Sequence, residues 1–157
     1  MSADPLVRED VYVALANLVF NDPRIDAAQG GVFKTTGRYL PQIFAGVAPT
    51  DCPALFMFQH PELRVNPGKG IPAKRTLQAA FIAYFAAETP AVDLPATAIN
   101  AAADVIDDVI SLPPNPANVQ SLGDLVEHVY IEPNIEPFEG LLQEKSALVA
   151  MVRMLVP

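Results

Sequence analysis

Between Leu6 and Val19 the apolar residues Val11, Leu15, Leu18 and Val19 recur at helical spacing, while Glu9, Asp10 and Asn17 fall on the other side. Such a stripe predicts an amphipathic helix laid on a core. Asn21-Asp22-Pro23 ends it, because a residue before proline is pushed out of the helical region. Residues 24–32, with Gly30-Gly31, read as a connector. The period then changes from helical to alternating. Phe33 to Leu40 puts Lys34, Thr36 and Arg38 on one side and Phe33, Thr35 and Tyr39 on the other, which predicts a strand. Pro41, Pro49 and Pro53 punctuate a loop, after which Ala54–His60 and Arg75–Ala87 are expected to pair as a long antiparallel hairpin. In the second of these, Leu77, Ala79, Phe81, Ala83 and Phe85 share one face, and Gln78, Ala80, Ile82 and Tyr84 the other. Both faces are largely apolar, so this strand belongs in the middle of a sheet or under cover on both sides.

Pro95 to Ser111 carries the clearest helical stripe, Ile99, Ala102, Ala103, Ile106, Val109 and Ile110, with Pro95 suited to the first turn. "PPNPAN" at 113–118 stops it. Strands are then expected at Leu125–Glu132, more weakly at Ile135–Leu141, and at Ala147–Val156, separated by Pro133-Asn134 and by the turn at 143–146. Pro133 and Pro137 lack backbone donors, which places the strand around Ile135 at a sheet edge or in an arm. Glu132, Glu136 and Glu139 would guard that edge against indiscriminate pairing. The last strand is apolar on both faces except for Arg153, so the helices or a second subunit must cover it. The order of elements predicts an α+β fold: a mostly antiparallel sheet with two main helices packed on it and an extended hairpin arm.

Composition adds a surplus. The 157 residues, expected to form one domain over 1–157, are 51% hydrophobic and only 18% charged. That surplus is deep core or a subunit interface. The longest apolar run, Ala79–Ala87, is too short to cross a bilayer. No basic stretch followed by an apolar one opens the chain, so it is expected to be made and kept in the cytoplasm.

The net charge of −8 is unevenly spread, since Thr76 to Glu144 holds eleven Asp or Glu and no Lys or Arg. A surface built from that stretch repels phosphates, which disfavours tight nucleic-acid binding. It suits either a solvated face or a surface past which DNA slides without sticking. Asp104, Asp107 and Asp108 on the second helix have no His, Glu or Asn motif beside them, so an acidic face, outward or toward a lumen, is expected rather than a metal or acid/base site. Four of the ten cations, Arg64, Lys69, Lys74 and Arg75, sit in "RVNPGKGIPAKR", whose glycines and prolines mark a hairpin tip. Its Gly-Lys-Gly lacks the spacing of a phosphate-binding loop, and Ile71-Pro72 opposes helix formation after it. The expected role is a basic arm that docks on an acidic neighbour or is simply solvated.

Cys52 is the single cysteine and His60 and His128 the only histidines, which leaves no disulfide and few metal ligands, so no cofactor is expected. No catalytic constellation emerges. A small enzyme using paired carboxylates among Glu127, Glu132, Glu136 and Glu139 remains an alternative, as does a host adaptor module that binds a peptide along the edge strand.

The order helix, strand, hairpin, helix, strands, the Pro/Gly-rich basic arm and the ending "FEGLLQEKSALVAMVRMLVP" together resemble tail terminator proteins of long-tailed bacteriophages, also called minor tail proteins. The resemblance implies a non-enzymatic virion subunit that assembles as a hexameric ring on the end of the tail tube. Its partners would then be copies of itself, the tail tube protein and the head connector protein, and the acidic segment would face the channel through which DNA travels. Head-tail connector and neck subunits share that size and ring assembly, and they stand as the neighbouring reading.

Overall fold

The computed structural model describes residues 7–38, 51–65, 74–86, 95–111, 120–142 and 145–156. Two helices, α1 (Arg8–Phe20) and α2 (Pro95–Ser111), accompany five strands: β1 (Thr35–Gly37), β2 (Ala54–Val65), β3 (Lys74–Ala86), β4 (His128–Leu142) and β5 (Lys145–Val156). The strands form one sheet in the order β1-β2-β3-β5-β4. β1 lies parallel to β2, and every other neighbour is antiparallel. The α+β architecture with a mostly antiparallel sheet is therefore present. β3 and β4 both run against β5 and so run parallel to each other, with α2 as the crossover between them.

Glu9 and Asp10 stand in the first turn of α1, where the free amides favour negative charge. Its buried residues Val11, Leu15 and Val19, with Ile99, Ala102, Ile106, Val109 and Ile110 of α2, pack on Leu55, Met57, Leu77, Ala79, Phe81, Leu148, Val152 and Met154 of the sheet. Both stripes read from the spacing thus point inward. Phe20 meets Phe81 edge-on, with ring centroids 6.1 Å apart. The buried Tyr12 hydroxyl donates to the Gln78 carbonyl at 3.0 Å and ties α1 to β3. Burial, more than any other influence, raises the pKa of that phenol.

Several boundaries differ from the expectation, each for a tertiary reason. The strand anticipated at Phe33–Leu40 is reduced to Thr35–Gly37, with residues 39 and 40 outside the described region. Phe33 is instead buried in the core and makes an isolated bridge with Asp26. The chain turns tightly there: a Cβ on Gly31 would lie 2.5 Å from the carbonyl carbon of Ile25, so only glycine fits. The two strands expected at Leu125–Glu132 and Ile135–Leu141 are one 15-residue strand, β4, that starts at His128. Pro133-Asn134 does not break it, because a shift in register between Ile131 and Ile135 absorbs the extra residues. β4 does lie at the sheet edge, where prolines are tolerated.

The β2–β3 hairpin is paired from Ala54↔Tyr84 to Val65↔Lys74. Arg75, one step from its described end, still pairs with Val156 of β5, so the described part of the hairpin runs level with the sheet. The expected projecting arm falls on residues 66–73, outside the described region.

Candidate interaction surfaces

Alternation along the strands divides the sheet into two faces. One is covered by both helices. On the other, cross-strand rows can be read from the register: Ala54, Tyr84 and Ala147; Phe56, Ile82, Val149 and Glu136; Phe58, Ala80 and Met151; His60, Gln78, Arg153 and Tyr130. At one end of this face Ala54, Phe56, Tyr84 and Ala147 form a small buried cluster with Ile82 and Cys52 packed beside it, and Ala80 and Gln78 of the central strand are buried farther along. No helical residue joins that cluster. Beside this cluster and beyond it, Ile82, Val149, Phe58, Met151 and Leu155 remain only half-buried. The closing strand β5 is therefore buried on the face under the helices, whereas on the other face Val149, Met151 and Leu155 stay half-buried.

A kink in β2 shapes the far end. Between His60 and Leu63 the register slips by one residue against β3, a bulge that holds Pro61 and Glu62. The Gln78 amide donates to the Pro61 carbonyl at 2.7 Å and fastens this bulge. Past it the alternation is inverted, so Leu63 reaches the open face and is 42% exposed.

The basic residues of the expected arm separate into two groups. Arg64 and Arg75 are direct cross-strand partners, a like-charge contact that is unfavourable alone. Glu62 relieves it by binding both Arg64 and Arg8 of α1 at 3.2 Å. The two guanidiniums, Arg8 foremost, hold the Glu62 carboxyl below its ordinary pKa. Lys69 lies outside the described residues, and so does the side chain of Lys74. Arg38 makes a further ion pair to Glu9 across the base of α1.

The six carboxylates expected to form an acidic face do not share one surface. Asp104, Asp107 and Asp108 are exposed on the outer side of α2, and Asp107 accepts a hydrogen bond from the Ser111 hydroxyl at 3.0 Å. Asp108 adds to the negative field that, after the direct bond from Asp22, raises the pKa of Arg24. Glu132 and Glu136 are on β4, on the opposite, open face of the sheet. Glu132 is engaged by Arg153 of β5, whose pKa is raised mainly by that bond, whereas Glu136 is exposed. The side chain of Glu139 lies outside the described residues. Glu127 is exposed just before β4.

Both histidines lie on the open face beside aromatic rings: His60 is 5.3 Å from Phe58, and His128 stacks on Tyr130 at 5.6 Å. Among the described residues no three His, Cys, Asp or Glu side chains come together in a way that could hold a metal ion. No helix is long and apolar enough to cross a membrane. The open apolar face was visible in the sequence only as apolar residues on both sides of β3 and β5. Which side would receive the helices was not.

No protein-family model matches the chain, and no curated protein matches it in sequence. Among solved structures, a chain of the "Virion of native gene transfer agent (GTA) particle" is similar, with a TM-score of 0.48 and 16% identity over 93% of this chain and 96% of that one.

Proposed function

We propose that this chain is a non-enzymatic structural subunit of a phage-like virion that works beside copies of itself, as a tail terminator ring closing the tail tube and meeting the head connector. The observation that carries the reading is the half-open sheet face formed by Phe58, Ile82, Val149, Met151 and Leu155. Burying the rest of five such side chains contributes about 4–8 kcal/mol. Association costs about 4–15 kcal/mol in lost freedom. One such contact is therefore marginal, and a closed ring, in which every copy is held by two neighbours, makes it sufficient. The neck or connector reading shares this physics and differs only in the partner.

Only one of the two acidic sets can line a channel. We assign Asp104, Asp107 and Asp108, because Glu132 is already neutralised by Arg153. The cross-strand Arg64 and Arg75 then serve as the positive contact for a neighbouring acidic surface.

Mass measurement at micromolar concentration, with electron microscopy of the purified protein, tests the proposal. A ring with a central hole is expected, and addition of that ring should stop polymerisation of tail tube protein. A strict monomer, alone and with tube protein present, would remove the reading. A ring that binds connector protein but leaves tube growth unaffected would replace terminator with neck subunit.

A further inference from the structure

Conformational tension in the described residues is concentrated in one short segment, between the end of the α2 crossover and β4. Leu122 and Asp124 are the non-glycine residues with positive φ, at 52° and 69°, and Gly123 between them is at 68°. Left-handed backbone is unfavourable for a branched side chain such as leucine, and three consecutive residues adopt it here. The buried side-chain nitrogens that lack a hydrogen-bond partner, Gln120 Nε2 and His128 Nδ1, bracket the same turn. Buried donors are nearly always satisfied, so two orphans flanking a left-handed turn are a coincidence of independent signs.

Opposing forces hold the segment down. Leu122 and Val126 are buried in the main core. Ser121 and Asp124 bond reciprocally: the Asp124 amide donates to the Ser121 hydroxyl, which donates to the Asp124 carboxylate, both at 3.2 Å. The Val126 amide closes the turn onto the Ser121 carbonyl at 3.2 Å. The Glu127 amide reaches the Leu155 carbonyl of β5, and the Val129 amide the Gln120 carbonyl, each at 2.8 Å.

We infer that residues 120–127 are a sprung strap, a segment that opens from the end of β5 while the sheet stays intact. Opening lets Gln120 reach water and relaxes the left-handed backbone, at the cost of exposing Leu122 and Val126. It also frees the Leu155 carbonyl and the start of the edge strand β4, where another chain can pair. The strap is thus a conformational device at the sheet edge, and it stands whether or not the chain forms a ring.

Native-state hydrogen exchange of the full chain, followed by NMR, tests it. The Val126 and Glu127 amides should exchange roughly a hundredfold faster than those of Ala80 and Val152, with little dependence on denaturant, as a local opening does. Phe81→Leu, in the middle of the sheet, should speed Ala80 and Val152 about tenfold and leave Val126 unchanged. Gly123→Ala places its methyl where nothing lies within 4 Å, so it acts only through the backbone. It should speed Val126 about fivefold. If Val126 instead exchanges with Ala80, or follows Phe81→Leu, the strap does not open by itself and the inference falls. Indifference of Val126 to Gly123→Ala would overturn it equally.

Discussion

The two faces of the sheet are built from the same strands and nearly the same residue types, yet they have different fates. On the covered face, Leu77, Phe81, Leu148 and Met154 are essentially inaccessible beneath α1 and α2. On the other, Ile82, Val149, Met151 and Leu155 occupy the neighbouring positions of the same strands and stay half-exposed. Apolar alternation on both sides of a strand is thus a statement about eventual burial, and the second side is satisfied only in part within the chain, at Ala54, Phe56, Ala80, Tyr84 and Ala147. Contiguous exposed apolar surface marks an interaction site more reliably than scattered exposed leucines do.

Substitutions at paired positions sharpen this contrast. Phe81→Ala, on the covered face, should cost about 3–5 kcal/mol of stability in denaturant titration, because a large cavity opens under α1. Its neighbour Ile82 should behave differently: Ile82→Ala loses about 1 kcal/mol or less in the free chain. Met151→Glu should abolish association in sedimentation while leaving the unfolding midpoint nearly in place. If Ile82→Ala proves as damaging to the free chain as Phe81→Ala, the open face is core after all.

Gly31→Ala should destabilise by about 1–3 kcal/mol, since its methyl would enter the Ile25 carbonyl carbon and force the connector apart. Tyr12→Phe, which deletes the hydroxyl bridge from α1 to β3, should cost about 1 kcal/mol. The smallest effect is electrostatic. Arg8 and Arg64 depress the Glu62 pKa below 4.5, so their contribution is complete above that value and fades as pH falls through the depressed pKa. Glu62→Gln should therefore lower stability by a few tenths of a kcal/mol at neutral pH, because both arginine partners are about half exposed to screening solvent. Wild type and variant should converge at acid pH and in high salt.

Much of the fold was legible because the relevant signals are local. The stripe Ile99, Ala102, Ile106, Val109 and Ile110 is buried as its spacing required. Pro133 and Pro137 announced an edge, and β4 is one. The misjudged pieces depend on partners distant in sequence. Among the described residues β1 pairs over Thr35–Gly37 with Ala54–Phe56, and before it Lys34 and Thr35 both direct their amides to the Pro53 carbonyl, which takes Phe33 and Lys34 out of the ladder. The acidic residues looked like one surface because they are close in sequence. α2 covers one face of the sheet, however, and Glu132 and Glu136 of β4 point from the other, so only the tertiary layering separates them from Asp104, Asp107 and Asp108. Ser121-Leu122-Gly123-Asp124 gave no sign of its conformation, since leucine ordinarily avoids a left-handed turn and adopts it here while buried in the core.

Residue order sufficed for the helices, the paired strands and the excess of apolar surface, because periodicity and proline chemistry act over a few residues. The placement of both helices on one face, the opposite locations of the two acidic groups and the tension around Leu122 arose only when distant segments met. Burial is a property of the assembled layers: a strand can carry two apolar faces, but which of them the chain's own helices will fill is settled by connectivity and handedness across the whole sheet.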